Sequence, residues 1–126
     1  MNKKNRVMVC VTRQRNCERL IRLGKDIADK EEGQLFVVHA AKVGETFLGN
    51  PDEGEALDYL FSISKNVGAD MTVLRSQNVV DTLVSFAKDT KITVMVLGQP
   101  PDKKDSNIIR QLEHRLKDVE FKVVPG

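Results

Sequence analysis

The chain has 126 residues, enough for one domain to bury well over half of its unfolded surface without a disulfide or metal staple. Hydrophobic residues make up 40% and charged residues 30%, while 20 Lys and Arg against 18 Asp and Glu leave a net charge of only +2. That balance creates no demand for nucleic acid or an anionic membrane, and no apolar run nears the ~18 residues of a bilayer span.

The first apolar run, VMVCV at residues 7–11, reads as a strand covered on both faces. It stops at Val11, too soon for a signal peptide, so a cytoplasmic protein is expected. Asn16 can cap a helix whose stripe is Cys17, Leu20, Ile21, Gly24, Ile27 and Ala28, ended by Gly33. LFVVHAA at residues 35–41 is a second strand. Residues 42–52 hold Gly44, Gly49 and Pro51 and read as a long loop before a helix over 53–67, with Gly68 as its C-cap. MTVL at 71–74 is a third strand. Asn78 caps a helix carrying Val80, Leu83, Val84 and Ala87. ITVMVLG at 92–98 is the fourth strand, residues 99–105 a polar loop, and Ser106 a cap for a last helix with Ile108, Ile109, Leu112 and Leu116. FKVV at 121–124 closes the chain.

This alternation describes one α/β domain over residues 1–126, a doubly wound parallel five-stranded sheet between two helical layers. Right-handed crossovers allow the order 3-2-1-4-5, which reverses between strands 1 and 4. A ligand crevice is expected at their carboxyl ends, lined by residues 12–16 and 98–106 with residues 39–42 beside it. The candidate contacts are Thr12, Arg13, Gln14, Arg15, His39, Ala40, Gly98, Gln99 and Ser106.

Several chemistries fail on spacing. A C-x5-R phosphate loop needs an arginine where Asn16 follows Cys10 and Leu23 follows Cys17. No G-x-S-x-G occurs, and the ends of strands 1 and 3 read VTRQ and VLRS, without the acids of phospho-acceptor signalling domains. Cys10, Cys17, His39 and His114 lack zinc-ligand spacing, so no metal is expected. Cys10 reads as core. Cys17, near Arg13, Arg15 and Arg19 in a first helical turn, reads as a stripe residue, with a redox thiol as the sharper alternative. His39, on a strand buried on both faces, reads more readily as a hydrogen-bonded structural residue than as a base.

Charge is uneven, since residues 1–25 hold eight Lys and Arg against a single acid, Glu18. The bland reading is a solvated basic face. The sharper one places Arg13 and Arg15 across the crevice from Lys103 and Lys104, a set that suits a phosphate-bearing ligand. The absence of Trp and a 5% aromatic content speak against a base-stacking nucleic-acid surface. The last strand, with Phe121, Lys122, Val123 and Val124, is an open edge that a second copy could pair antiparallel.

The first strand and helix, with ERLIR at residues 18–22 and VVH at 37–39, resemble the universal stress protein domain of KdpD-type potassium sensor kinases. NVGADMTVL, NVVDTLVSFAKDTKITVMVLG and the closing helix match the same domain, so the resemblance spans essentially the whole chain. It implies the adenine nucleotide alpha hydrolase-like fold and a sensor or signalling domain without catalysis of its own. It also implies a homodimer, a signalling partner, and a ligand such as ATP, AMP or cyclic di-AMP. The family's phosphate motif, G-x2-G-x9-G-[ST] after strand 4, is broken here. Gly98 matches its first glycine, Pro101 stands at the second, and Asp105 and Ser106 resemble a displaced final pair. The acid that ATP-binding members carry after strand 1 is replaced by TRQRN, and the serines and aromatic of cyclic di-AMP binders are missing. The alternative is a ligand-independent dimerisation or interaction module that has lost nucleotide binding.

Overall fold

The computed structural model describes residues 5–11, 14–30, 32–42, 53–98 and 103–124. Its elements alternate throughout: β1 (Arg6–Val11), α1 (Gln14–Lys30), β2 (Gln34–Lys42), α2 (Glu53–Asn66), β3 (Asp70–Ser76), α3 (Val79–Thr90), β4 (Val94–Gly98), α4 (Lys103–Arg115) and β5 (Glu120–Val124). All pairings are parallel and the sheet order is β3-β2-β1-β4-β5, as the hydrophobic pattern predicts.

The pleat sorts the β-branched runs into two cores. Val7, Val9 and Val11 of β1, Val37 of β2, and Val94 and Val96 of β4 pack with Cys17, Leu20, Ile21 and Ala28 of α1 and with Ala56 and Leu60 of α2. Met8, Cys10, Val38, Met95 and Leu97 face the other way, onto Val80, Leu83, Val84 and Ala87 of α3 and Leu112 of α4. Central β1 and β4 are buried on both faces, whereas edge strands β3 and β5 are only half-buried. The edges therefore run further than their apolar letters suggest: β3 spans Asp70–Ser76, beyond the expected 71–74.

The helix termini depart from the sequence reading in instructive ways. α1 begins at Gln14, so Asn16 lies inside its first turn rather than capping it. α4 begins at Lys103, which places Ser106 inside that helix. Gln, Arg and Lys are good helix formers, so the backbone winds back past the residue that capping preference alone would choose. At α3 the preference holds, and the Asn78 side chain accepts the Asp81 N–H at 3.1 Å.

Three helices stop with the same device. A left-handed residue, Glu32 (φ 51), Gly68 (φ 70) or Lys91 (φ 58), precedes an N–H that reaches back into the helix. Those bonds are Gly33 to the Ala28 carbonyl (2.7 Å), Ala69 to Ser64 (2.9 Å) and Ile92 to Ala87 (2.9 Å). The turn of α1 thus falls on Glu32, not on the expected Gly33. Gly33 is needed for another reason: a Cβ there would sit 2.2 Å from the Asn5 carbonyl oxygen.

The amino ends of the strands are tied together by a side-chain clasp. Thr93 Oγ1 accepts the Arg6 N–H at 3.0 Å and donates to Asn5 Oδ1 at 3.1 Å, while the Arg6 guanidinium reaches the Thr90 carbonyl at 3.0 Å. Backbone bonds continue the tie, from Gln34 to Asn5, Thr93 to Arg6 and Glu120 to Thr93, each 2.9 Å.

Candidate functional site

The sheet order reverses between β1 and β4, so the connections leaving these two strands depart to opposite faces. Val11 ends β1 and Gly98 ends β4 on adjacent strands. α1 starts beyond Val11 and belongs to one helical layer, while α4 starts beyond Gly98 and belongs to the other. Two helix amino termini therefore open at the same end of the sheet, one on each side of the reversal. Their partial positive charges favour an anion between them.

The first turn of α1 contains Arg15 and no acidic residue to offset that field. A cation there opposes the helix dipole and costs a few tenths of a kcal/mol unless an anion sits nearby. Lys103 and Lys104 open α4. Of the other expected contacts, Gln14 is the first residue of α1, Ser106 lies in the first part of α4, and Gly98 closes β4. A Cβ at Gly98 would meet Leu20 Cδ1 of α1 at 3.4 Å, so this strand end lies against the beginning of α1. Thr12, Arg13, Gln99 and Pro101, with the long loop over residues 43–52, fall outside the described residues.

His39 and Ala40 are near the end of β2, next to β1. His39 pairs with Val11 in the sheet register, is 2% exposed, and its Nδ1 is 2.7 Å from the Val11 carbonyl oxygen. A carbonyl only accepts, so Nδ1 carries the hydrogen. Ala40 is half-buried against the α3/α4 core. What sequence reasoning missed is the Val11 carbonyl as the partner of this histidine. The signal was a lone imidazole within an apolar strand, which must find a hydrogen-bonding group when buried.

Both cysteines are buried, which disfavours the thiolate. Burial pushes both thiols from the ordinary 9.0 up to about 12. Cys17 is fully buried in the α1/α2 core despite its place near the start of α1, so desolvation outweighs the helix field. At pH 8 each thiol should be ionised about a thousandfold less than an ordinary one. We expect native protein to resist a thiol-titrating disulfide reagent at pH 8 and both cysteines to react once denatured. Rapid native labelling of Cys17 would restore the redox alternative.

Among the described residues no cluster of His, Cys, Asp and Glu could hold a metal, and no helix is long and apolar enough to cross a membrane. A shallow cavity of about 170 Å³ lies at the opposite end of the sheet, lined by Lys25, Asp29, Gln34, Gly68 and Asp70 among others. Lys25 Nζ is there paired with Asp29 at 2.8 Å, and no converging charge points to a ligand.

No family model and no curated protein sequence matches this chain. Solved structures do. A universal stress protein in complex with cAMP superposes with a TM-score of 0.67 at 18% identity, covering 95% of each chain. The universal stress protein from Archaeoglobus fulgidus in complex with dAMP gives 0.57 at 17% identity, over 99% of this chain and 98% of that one. A universal stress protein family protein from Arabidopsis thaliana with AMP bound gives 0.58 at 12% identity, over 96% and 91%. The fold is that of universal stress proteins.

Proposed function

We propose that this chain is a universal stress protein-like sensor domain, related most nearly to those of KdpD-type sensor kinases. It binds an adenine nucleotide at the crevice between β1 and β4 and carries out no catalysis of its own. It acts in the cytoplasm by passing its ligand state to a signalling partner. The observation that carries the reading is the pair of helix amino termini at the topological reversal, with no acidic residue in the first turn of α1. Structural neighbours that hold cAMP, dAMP and AMP support the ligand class.

The sheet has two open edges, and the reading includes a homodimer joined antiparallel along β5. Val123 of that strand is 38% exposed, one of two large apolar side chains left open among the described residues, the other being Phe61 on α2. The broken phosphate motif supports a second reading, in which the domain dimerises or docks without any nucleotide.

A thermal-shift titration of dialysed protein with AMP, ATP and cyclic di-AMP separates the two. Ligand at ~100 times its dissociation constant adds about 2.7 kcal/mol, or roughly 8–12 °C for a domain of this size. Arg15→Glu supplies the internal control through opposite signs. An acid in the first turn favours the helix dipole, so the ligand-free midpoint should rise by about 0.3–1 kcal/mol of stability. The nucleotide-induced shift should meanwhile disappear. A flat response of the native protein across the panel would leave the interaction module as the better account.

A further inference from the structure

We infer that His39 is a positioning residue for the crevice, which its Nδ1–H shapes by holding the Val11 carbonyl. The inference rests on the nucleotide reading above for its ligand, but its structural half stands alone. Val11 is the last residue of β1, the point from which the chain leaves the sheet toward α1. His39 is its register partner on β2, and by alternation with Leu35 and Val37 it belongs to the face that carries α1 and α2. The side-chain bond of 2.7 Å thus ties the end of β1 to the neighbouring strand β2, on the side where α1 begins. A ring that is 2% exposed has little room to change rotamer, so the bond is fixed in place by the surrounding core. The carbonyl in turn is the final backbone group of β1 before residues 12 and 13. A buried imidazole that filled space alone could be replaced by leucine at no cost to the crevice. One that orients the strand end could not.

Two variants separate these roles. His39→Leu keeps apolar volume and removes the donor, whereas His39→Asn puts a side-chain amide nitrogen close to where Nδ1 stood. With AMP titrated calorimetrically, His39→Leu should bind about three- to tenfold more weakly, the worth of one hydrogen bond, and His39→Asn should recover most of that loss. In ligand-free amide spectra, His39→Leu should move the signals of residues 11–17 while His39→Asn leaves them near their native positions. Equal behaviour of the two variants, or native affinity and spectra in His39→Leu, would overturn the assignment. If AMP fails to bind even the native protein, the nucleotide reading falls, and the ligand-free spectra still decide the role of His39. If His39→Leu does not fold, the native imidazole decides. A neutral ring must show its proton on Nδ1 in long-range nitrogen–proton correlations, and a neutral ring protonated on Nε2 would refute the inference.

Discussion

Replacing Gly24 with alanine should lower the unfolding free energy by about 2 kcal/mol, although alanine is the better helix former. Two effects oppose each other at this position. In a helix interior the exchange gains about 1 kcal/mol from backbone entropy and propensity. Against it, the new Cβ would sit 2.3 Å from Val9 Cγ2 and 3.0 Å from Leu35 Cδ1. Val9 is completely buried and β-branched, so its methyl cannot swing aside, and α1 must lift from the sheet. Overpacking of that severity costs about 3 kcal/mol, the upper part of its usual range, so the steric effect wins. Urea unfolding followed by circular dichroism should show the midpoint fall with an unchanged slope, and the thermal midpoint should drop by roughly 6–10 °C. A rise in stability would mean that α1 stands further from β1 and β2 than described. If α1 supplies one wall of the proposed nucleotide crevice, the same variant should also bind AMP less tightly even where it remains folded.

The second large effect concerns assembly: Val123→Pro should convert the proposed dimer into a folded monomer. Glu120 donates its N–H to the Thr93 carbonyl of the adjoining segment, so Glu120, Lys122 and Val124 turn their backbone groups toward β4. Strand alternation leaves those of Phe121 and Val123 directed away from the sheet. Proline at position 123 therefore removes an outward N–H and none of the bonds to β4. Edge strands accept it on that side. Light scattering coupled to size exclusion should give twice the chain mass for the native protein and the chain mass for the variant, with the thermal transition of both cooperative. A variant that remains dimeric would move the interface elsewhere, and the exposed Phe61 on α2 would then be the first place to look.

Much of this architecture was legible in the letters because burial on two faces leaves a plain mark. VMVCV and VMVLG are continuous apolar runs, and the sheet places them side by side at its centre, as such runs require. The stripe over Cys17, Leu20, Ile21 and Ala28 likewise predicts the buried face of α1. Boundaries were harder, since they are set by backbone hydrogen bonds that side-chain polarity does not report. Asp70, Arg75 and Ser76 belong to β3 because its neighbour β2 offers ladder partners, not because the residues prefer strands. Gly33 looked like a helix stop, yet Glu32 makes the turn while the glycine admits the Asn5 carbonyl, a contact far away in sequence. Of the cations expected around the crevice, Arg15, Lys103 and Lys104 fall in helical rather than loop positions, because helix propensity wound the terminal turns of α1 and α4 back past the expected caps. That His39 is hydrogen-bonded was expected from its burial, but its acceptor, the Val11 carbonyl, was not, because nothing in the residue itself names it.

The clasp of Asn5, Arg6, Thr90 and Thr93 gives the molecule two ends with different histories open to them. Register is locked at the feet of the strands, where side chains and backbone bonds hold β1, β2, β4 and β5 in step. That lock does not depend on the connections at the opposite rim. They can shorten, lose glycines or exchange acids for bases without loosening the scaffold beneath. A lineage descending from a nucleotide binder could pass through a broken phosphate loop and remain a sound protein throughout, ready to acquire a different ligand at the same rim.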